Sequence, residues 1–443
     1  MSATRAPSRW SDDAFLDRLR LEGDAPADDC YAEILASSGD FAGLFEHLNA
    51  DDTPVPDGAP APLKAFFTEF SRTPTPNGQP VEWQRLKRGE DVFSTHACCS
   101  ALVLLTSSLP AGYAAPNLSK VLVLSGNLNN HPYKRLLGVL QMVVNVTYPG
   151  GFAPNGKALI TAPKLRLLHA GVRQIVRRHL PDYESQYGVP VNHEDMLATL
   201  MGFSLLVVRG LQQLGVGLSD ADAEHYFYLW RIYALAMGVH PPGAPDSTDY
   251  LPADLTEAEE FYRAYARRHY RKASENPEGV ELTRANLLLL RHLLGRPVLK
   301  LMGLGSADRI YMQLMLGVDG LMQRGVAPVT WHTIAMRTCV TLPRIWTRLT
   351  TLANRDSSRH HHERVSQLVF QGMIDRNLGG QVTFLIPDSL SDLHALTTSV
   401  DMPYGERRIA QRRAQESDIP FPNRRARPDR RLAFRQTFWR TRH

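Results

Sequence analysis

The chain has 443 residues, 43% of them hydrophobic and 21% charged, so it can bury a large core without disulfides or a structural metal. Its net charge of +5 is unevenly distributed. Residues 405–443 carry 12 arginines and four acidic residues, which leaves the other 404 residues at −3. This distribution excludes nucleic-acid binding by the main body of the chain. The N-terminal stretch contains no apolar run of signal-peptide length, which predicts a cytoplasmic protein.

Apolar residues recur with helical periodicity almost everywhere, which predicts a mainly α protein. We expect three regions: a helical arm and Pro-rich linker (1–64), an all-α domain (65–400) and an Arg-rich, partly disordered tail (401–443). From residue 65 onward the predicted helices are Ala65–Phe70, Glu90–Ser108, Asn117–Ser125, Pro132–Val146, Pro163–His179, His193–Leu214, Asp220–Met237, Glu257–Tyr270, Arg284–Leu294, Ser306–Leu316 and 331–352.

Two features bear on contact with membranes. The longest apolar runs, at 97–109 and 197–208, are shorter than the roughly 20 residues that a spanning helix needs, so they are interpreted as core helices. The tail combines its arginines with Phe434, Phe438 and Trp439. It is either a solvated extension or a segment that docks on an acidic membrane surface or partner.

Several common site classes are absent from the sequence. It contains no GxxxxGK[ST], no GxGxxG after a strand, no GxSxG, no HExxH and no CxxCH. The run RHHHER at 359–364 is interpreted as solvent-facing, because consecutive histidines point in different directions. Candidate chemistry must therefore be sought in the helices themselves.

One histidine lies within an apolar helical stripe. In PKLRLLHAGVRQIVRRH, His169 shares a face with Leu165, Leu168, Val172 and Val176, so its imidazole is directed towards the core. A buried imidazole needs a hydrogen-bond partner or a metal. The simplest interpretation is a core histidine with a satisfied hydrogen bond.

Three arginines accompany this histidine. Arg166 and Arg173 lie one turn to either side of it, and Arg135 lies on the preceding helix, which a tight YPGG turn would fold back as a hairpin. An arrangement that uses all of these groups is haem b, with iron bound by His169, propionates paired with arginine, and apolar side chains around the ring. The pattern alone leaves both interpretations open.

The order of the surrounding segments narrows the choice. The relevant stretches are LRLEGDAPAD (19–28), LKRGEDVFSTHACCSALVLLTSSLPAGYAAP (86–116), VLSGNLNNHPYKRLLG (123–138), KLRLLHAGVRQ (164–174), VPVNHEDMLATLMGFSLLVVRGLQQLG (189–215) and HYFYLWRIYALAMGVHPPGAPDSTDYLP (225–252). In order and spacing they resemble the MpaB and latex-clearing-protein (rubber oxygenase) family. The resemblance implies one globin-like, multi-helix haem-binding bundle with extra helices.

The resemblance also implies roles for individual residues. The family's RxxHxxxR motif falls on Arg166, His169 and Arg173, which makes His169 the metal ligand and the two arginines part of the cofactor-binding set. Arg135 matches the arginine of the distal helix and is the implied catalytic residue. In the latex-clearing members a lysine and a threonine follow that arginine at +3 and +4, where this chain has Gly138 and Val139.

These departures weigh against cleavage of polyisoprene, because the distal side loses groups that do acid–base work. The expected function is a haem b-dependent oxygenase that uses O2 on a hydrophobic unsaturated substrate, such as an isoprenoid or lipid chain. Two alternatives stay open: a haem-binding carrier or gas sensor that has lost turnover, and a cofactor-free helical interaction protein.

Overall fold

A computed structural model describes residues 8–36, 55, 58–126, 132–293, 307–329, 341 and 345, with the side chains of 126, 132–137, 292, 293 and 307 outside that description. Every regular element in these residues is helical, which confirms the mainly α prediction. The α-helices are α1 (Asp13–Arg20), α2 (Ala25–Ala36), α3 (Ala61–Phe70), α4 (Trp83–Val103), α5 (Leu109–Gly112), α6 (Pro116–Gly126), α7 (Pro132–Thr147), α8 (Lys157–His179), α9 (Tyr183–Tyr187), α10 (His193–Phe203), α11 (Leu205–Gln213), α12 (Asp220–Ala236), α13 (Leu255–His269), α14 (Pro277–Leu293) and α15 (Ala307–Gln323).

The most extensive helix contact joins α4 and α12. Gly89 permits it, because a Cβ at this position would lie 2.7 Å from the carbonyl oxygen of His225 and 2.9 Å from the Cβ of Leu229. Around this crossing α12 buries an aromatic layer in which Trp230 stacks on Phe203 at 5.2 Å. The close approach of the two backbones therefore anchors the core of the bundle.

A π-helix, Leu104–Ser108, continues α4. The sequence predicts an ordinary helix here, because apolar periodicity does not distinguish i→i+5 from i→i+4 hydrogen bonding. A side chain of a neighbouring helix binds the backbone of the π-helix: Asn286 of α14 donates its amide N–H to the carbonyl of Leu105 at 2.5 Å. The π-helix is thus fixed in the core rather than at an exposed end.

The N-terminal segment packs along the bundle. Trp10 is fully buried and donates its indole N–H to the carboxylate of Glu257 at 2.7 Å, at the start of α13. Helix α1 contacts α10, and α2 contacts both α3 and α8. Residues 8–36 are consequently integrated into the bundle core, although the predicted boundary at residue 64 itself stays a prediction.

The predicted start of α8 was wrong. The sequence analysis begins this helix at Pro163, whereas α8 begins at Lys157 and includes Pro163 within it. Pro163 cannot donate a hydrogen bond to the carbonyl of Leu159, and its ring crowds that carbonyl, so this turn of the helix needs support from elsewhere. The tertiary hydrogen bond from Asn145 to Thr161 holds this first part of the helix in place.

Other boundaries also differ. The predicted helix His193–Leu214 is two helices, because Ser204 leaves helical geometry with φ −106° and ψ −81° and donates its hydroxyl to the carbonyl of Leu200. Helix α14 starts at Pro277 rather than Arg284. Proline is well suited to the first helical position, where its missing N–H costs no bond.

Helices α4 to α5, including the π-helix, form one helical run, Trp83–Gly112, that is long and apolar enough to cross a membrane by length and composition. Its most apolar window is 67% buried inside the protein, as in the core helix of a bundle. The predicted helix at 331–352, the RHHHER run and the Arg-rich tail lie essentially outside the described residues, so the predictions for them stay predictions.

Candidate active site

Helices α7 and α8 pack together as the hairpin that the YPGG turn predicts. Gly150 adopts a positive φ of 76° in that turn. The buried carboxylate of Glu90, on α4, accepts the N–H of Gly150 at 3.1 Å. Burial raises the pKa of Glu90 to about 7, although hydrogen bonds from Gly150 and Gly151 partly offset the cost of ionisation. The turn is therefore held by a side chain from a third helix.

His169 lies in the middle of α8 and is half-buried, as are Leu165 and Leu168 on the same stripe. Farther along this stripe Val172 and Val176 are buried, and they continue it into the core. The imidazole thus lies on the apolar face, as the periodicity predicts, at the place where that face becomes accessible. A half-buried imidazole among leucines is a suitable donor to a cofactor metal that occupies an apolar slot.

Across the hairpin, α7 presents Gly138 and Val139, both half-buried. A Cβ added at Gly138 would meet no atom within 4 Å, so there is open space beside this turn of α7. Arg135 is on the same helix, one turn closer to its start, and its side chain lies outside the described residues. Its catalytic role therefore stays a proposal.

The two arginines of the RxxHxxxR pattern have partners that the sequence analysis did not predict. Arg166 donates from Nε and Nη2 to the two carboxylate oxygens of Asp24, at 2.7 and 2.8 Å. Arg173 donates from Nε to Asp28 at 2.7 Å and from Nη2 to the carbonyl oxygen of Asp24 at 3.3 Å. Both arginine side chains are only 1% exposed. Both arginines thus form ion pairs with Asp24 and Asp28, and a role of either arginine in holding a cofactor stays a prediction.

Other groups enclose the Asp24–Arg166 pair. The guanidinium group of Arg166 lies over the ring of Phe70 at 4.0 Å. Gly238 has a positive φ of 80°, and a Cβ there would lie 3.0 Å from both Arg166 Nε and Asp24 Oδ2. Burial alone would raise the pKa of Asp24, but the charge and hydrogen bonds of Arg166 outweigh it and hold the pKa below its usual value.

Asp28 responds differently to its surroundings. Burial raises the pKa of Asp28 above its usual value, and the attraction of Arg173 and Arg177 only partly offsets it. Its side chain is 22% exposed, against 9% for Asp24. The pair at Asp28 is consequently the more accessible of the two and the easier to alter without unfolding the protein.

Two other histidines of the matched segments, His193 and His96, lie on α10 and α4, and His193 is near the charges of Asp24, Arg166 and Arg173. His193 is buried at the start of α10, where its ring contacts Tyr250, and burial lowers its pKa to about 4. His96 is half-buried at a non-helical position within α4, and burial lowers its pKa to about 4 as well. Within the described ranges no group of three or more His, Cys, Asp or Glu side chains could hold a metal ion.

The sequence region that contains this hairpin matches a known protein family. The family described as "ER-bound oxygenase mpaB/B'/Rubber oxygenase, catalytic domain" matches residues 87–340, more than half of the chain. The chain belongs to this family. Helices α7 and α8, including His169 on α8, lie inside the matched region.

Two relatives support the MpaB/rubber oxygenase assignment. "Rubber oxygenase" from Streptomyces sp. (strain K30) is 26% identical over 214 residues, which are 47% of this chain and 49% of that protein. The match thus spans about half the length of the curated relative. The solved "Structure of Latex Clearing Protein LCP in the closed state" aligns with a TM-score of 0.62 at 20% identity, over 80% of this chain and 91% of that one. This likeness shows a shared fold.

The residues that sequence reasoning missed are Asp24 and Asp28, upstream of the region that matches the MpaB/rubber oxygenase family. They are four residues apart, so they occupy one side of α2, and they face arginines seven residues apart on one side of α8. This matched spacing of acidic and basic residues is the feature of the sequence that could have indicated the two ion pairs. It was overlooked because the two segments are more than 140 residues apart.

Proposed function

We propose that this member of the MpaB/rubber oxygenase family is a haem b-dependent oxygenase that uses O2 to oxidise or cleave a hydrophobic unsaturated substrate, an isoprenoid or lipid chain. The observation that carries the proposal is the half-buried imidazole of His169 on the apolar face of α8, level with the open space beside Gly138. Family membership supports oxygenase chemistry, and the geometry supports the position of the cofactor.

The surroundings of His169 fit haem b in three respects. His169 is half-buried, Leu165 and Leu168 beside it are half-buried too, and α7 leaves open space at Gly138. Haem would be held by iron ligation to His169 and by apolar contacts with both helices, and when bound it would supply an iron centre that activates O2.

The protein's own residues then determine which substrate can approach. Residues 138–147 of α7 contain no ionisable side chain, so this wall excludes water and favours an apolar chain over a charged one. Arg135, whose side chain lies outside the described residues, is the proposed group for stabilising negative charge near the reacting atoms. With no acid or base on 138–147, the chain's contribution is mainly orientation and exclusion of water.

The substitution His169→Ala tests the assignment. We expect purified His169→Ala to lose stoichiometric haem and the Soret absorption of the wild type, because the substitution removes the imidazole that would bind the iron. His179→Ala, at the end of the same helix, is the matched control and should retain both. Full haem content and an unchanged Soret band in His169→Ala would contradict the proposal.

A second function, haem binding without turnover, is favoured by the same neutral wall, because no group in 138–147 can move a proton. Oxygen uptake by the reduced protein in the presence of polyenes separates the two. Consumption that depends on a polyene supports the oxygenase. Binding of O2 with no uptake beyond autoxidation across a panel of isoprenoids and unsaturated lipids supports a carrier or sensor.

A further inference from the structure

We propose that Asp24, the residue before α2, and Asp28, in its first turn, are positioning residues for His169. Through Arg166 and Arg173 they hold α8 at the rotation about its axis that directs the imidazole to the space beside Gly138. This inference rests on the proposed function, in which His169 binds the haem iron. Neither aspartate touches the cofactor in this proposal, since each acts through an arginine.

The contacts are distributed around His169 along the helix. Arg166 lies three residues before His169 and Arg173 four residues after it. The two ion pairs therefore hold α8 one turn before and one turn after the imidazole. Both arginines lie within about 60° of His169 around the helix and on the same side of it, since each residue turns the helix by about 100°. A rotation of α8 that moved the imidazole would therefore strain both pairs.

Between the two ion pairs, α2 and α8 meet closely. A Cβ on Gly171 would lie 3.2 Å from the ring of Tyr31, so the aromatic ring of α2 rests on the backbone of α8. The helices are therefore fixed at three successive points: Arg166 on Asp24, Gly171 under Tyr31, and Arg173 on Asp28. Contacts at three successive positions along the helix restrain sliding as well as rotation.

The chemical type of these contacts suits orientation better than stability. Removing charges from water is costly, and buried ion pairs are often no more stabilising than apolar residues of the same volume. A two-bond Arg–carboxylate contact is, however, directional, because the planar fork and the carboxylate fit in one geometry. A bound cofactor needs its ligand held within about 0.5 Å and 10–20°. Directional contacts on either side of His169 meet that need.

The experiment compares haem release from the wild type with release from Asp28→Asn and Asp24→Asn, using apomyoglobin as the haem acceptor. We expect both variants to release haem at least tenfold faster, and the electron paramagnetic resonance spectrum of the ferric protein to change, because that spectrum depends on the orientation of the imidazole. Asp28→Glu, which restores the charge, should recover most of the wild-type behaviour. Asp28 is partly exposed, so its variant remains informative even if Asp24→Asn does not fold.

Asp308→Asn is the matched control. It breaks a buried ion pair to Arg291 at 2.6 Å, between α14 and α15 and away from α8. Release within twofold of the wild type in this control, with fast release in the Asp28 variant, supports the inference. Wild-type release and spectrum in folded Asp28→Asn overturn it, provided that His169→Ala has lost haem. If His169→Ala instead keeps its haem, the proposed function itself fails.

Discussion

The side-chain amide of Asn145 donates a hydrogen bond of 3.2 Å to the hydroxyl of Thr161, across the hairpin of α7 and α8. The two helices run in opposite directions. A residue about seven positions before Asn145 on α7 is therefore at the same height as a residue about seven positions after Thr161 on α8. On α7 that position is Gly138, and on α8 it is the turn of Leu168 and His169. This register is what brings a glycine level with the imidazole.

Gly138→Ala should raise the free energy of unfolding by about 0.5–1 kcal/mol, because the methyl group meets only open space and alanine favours a helix. Urea denaturation of the purified protein measures the change. A decrease in stability would show that the space is filled in solution.

A bulky side chain at the same position should obstruct the cofactor side of the hairpin. We expect Gly138→Trp to lower the affinity of the ferric holoprotein for added imidazole at least tenfold relative to Gly138→Ala, because the indole occupies the space level with His169. Optical titration gives both affinities. Equal affinities would place Gly138 away from the iron.

Gly89→Ala should destabilise the protein by about 1–3 kcal/mol, since the added methyl group would overlap the backbone of α12 at His225. Gly112→Ala provides the comparison, because its nearest neighbour, a methyl group of Leu118, is 3.7 Å away. The midpoints of thermal unfolding should separate the two variants. Equal midpoints would mean that α4 and α12 can move apart at little cost.

Glu90 should make stability depend on pH. Its pKa is about 7 in the folded protein and 4.5 without the fold, so the folded state holds a proton that the unfolded state releases between those values. The contribution of this proton to the free energy of unfolding is fully present below pH 4.5. It decreases by roughly 3 kcal/mol as the pH rises to 7. Glu90→Gln should remove that component, which urea unfolding at pH 5 and pH 8 can measure. A wild type and a Gln variant with parallel pH profiles would contradict the assignment.

Tyr265→Phe tests a buried carboxylate in another part of the bundle. Asp195 is fully buried, burial raises its pKa to about 6, and the hydroxyl of Tyr265 donates to it at 2.7 Å. Loss of that donor should cost about 1–3 kcal/mol and raise the pKa of Asp195 further. Chemical denaturation measures the loss, and Tyr148→Phe, at an exposed position, should change little.

Helix periodicity located most of the helices but not their ends. The stripe from Leu165 to Val176 oriented α8 only in part, because Val172 and Val176 are buried but Leu165 and Leu168 are half-buried, while Arg166 and Arg173 are almost fully buried. Its start was missed because Pro163 resembles a helix-opening proline, and only a tertiary contact at Thr161 shows that the helix is already formed there. The π-helix and the break at Ser204 depend likewise on neighbouring helices.

The site was predicted in the same partial way. His169 was singled out because a lone imidazole on an apolar stripe is unusual; it is half-buried rather than fully in the core, and its role as a metal ligand stays a prediction. The aspartate partners of Arg166 and Arg173 were not predicted, since an arginine near a candidate haem can pair equally well with a propionate or a carboxylate, and the predicted role of the two arginines at the cofactor stays a prediction. The choice between them depends on where α2 packs, and local sequence carries no information about a contact across more than 140 residues.

The ion pairs across α2 and α8 have a consequence for how the protein can be divided. The region of family homology begins at residue 87, yet the counter-charges for two of its buried arginines come from Asp24 and Asp28. A fragment that begins at residue 87 would lose both aspartates together with α2 and α3, which cover this side of α8, and would expose surface that the intact protein buries. The smallest autonomously folding fragment should therefore extend well upstream of the homologous segment.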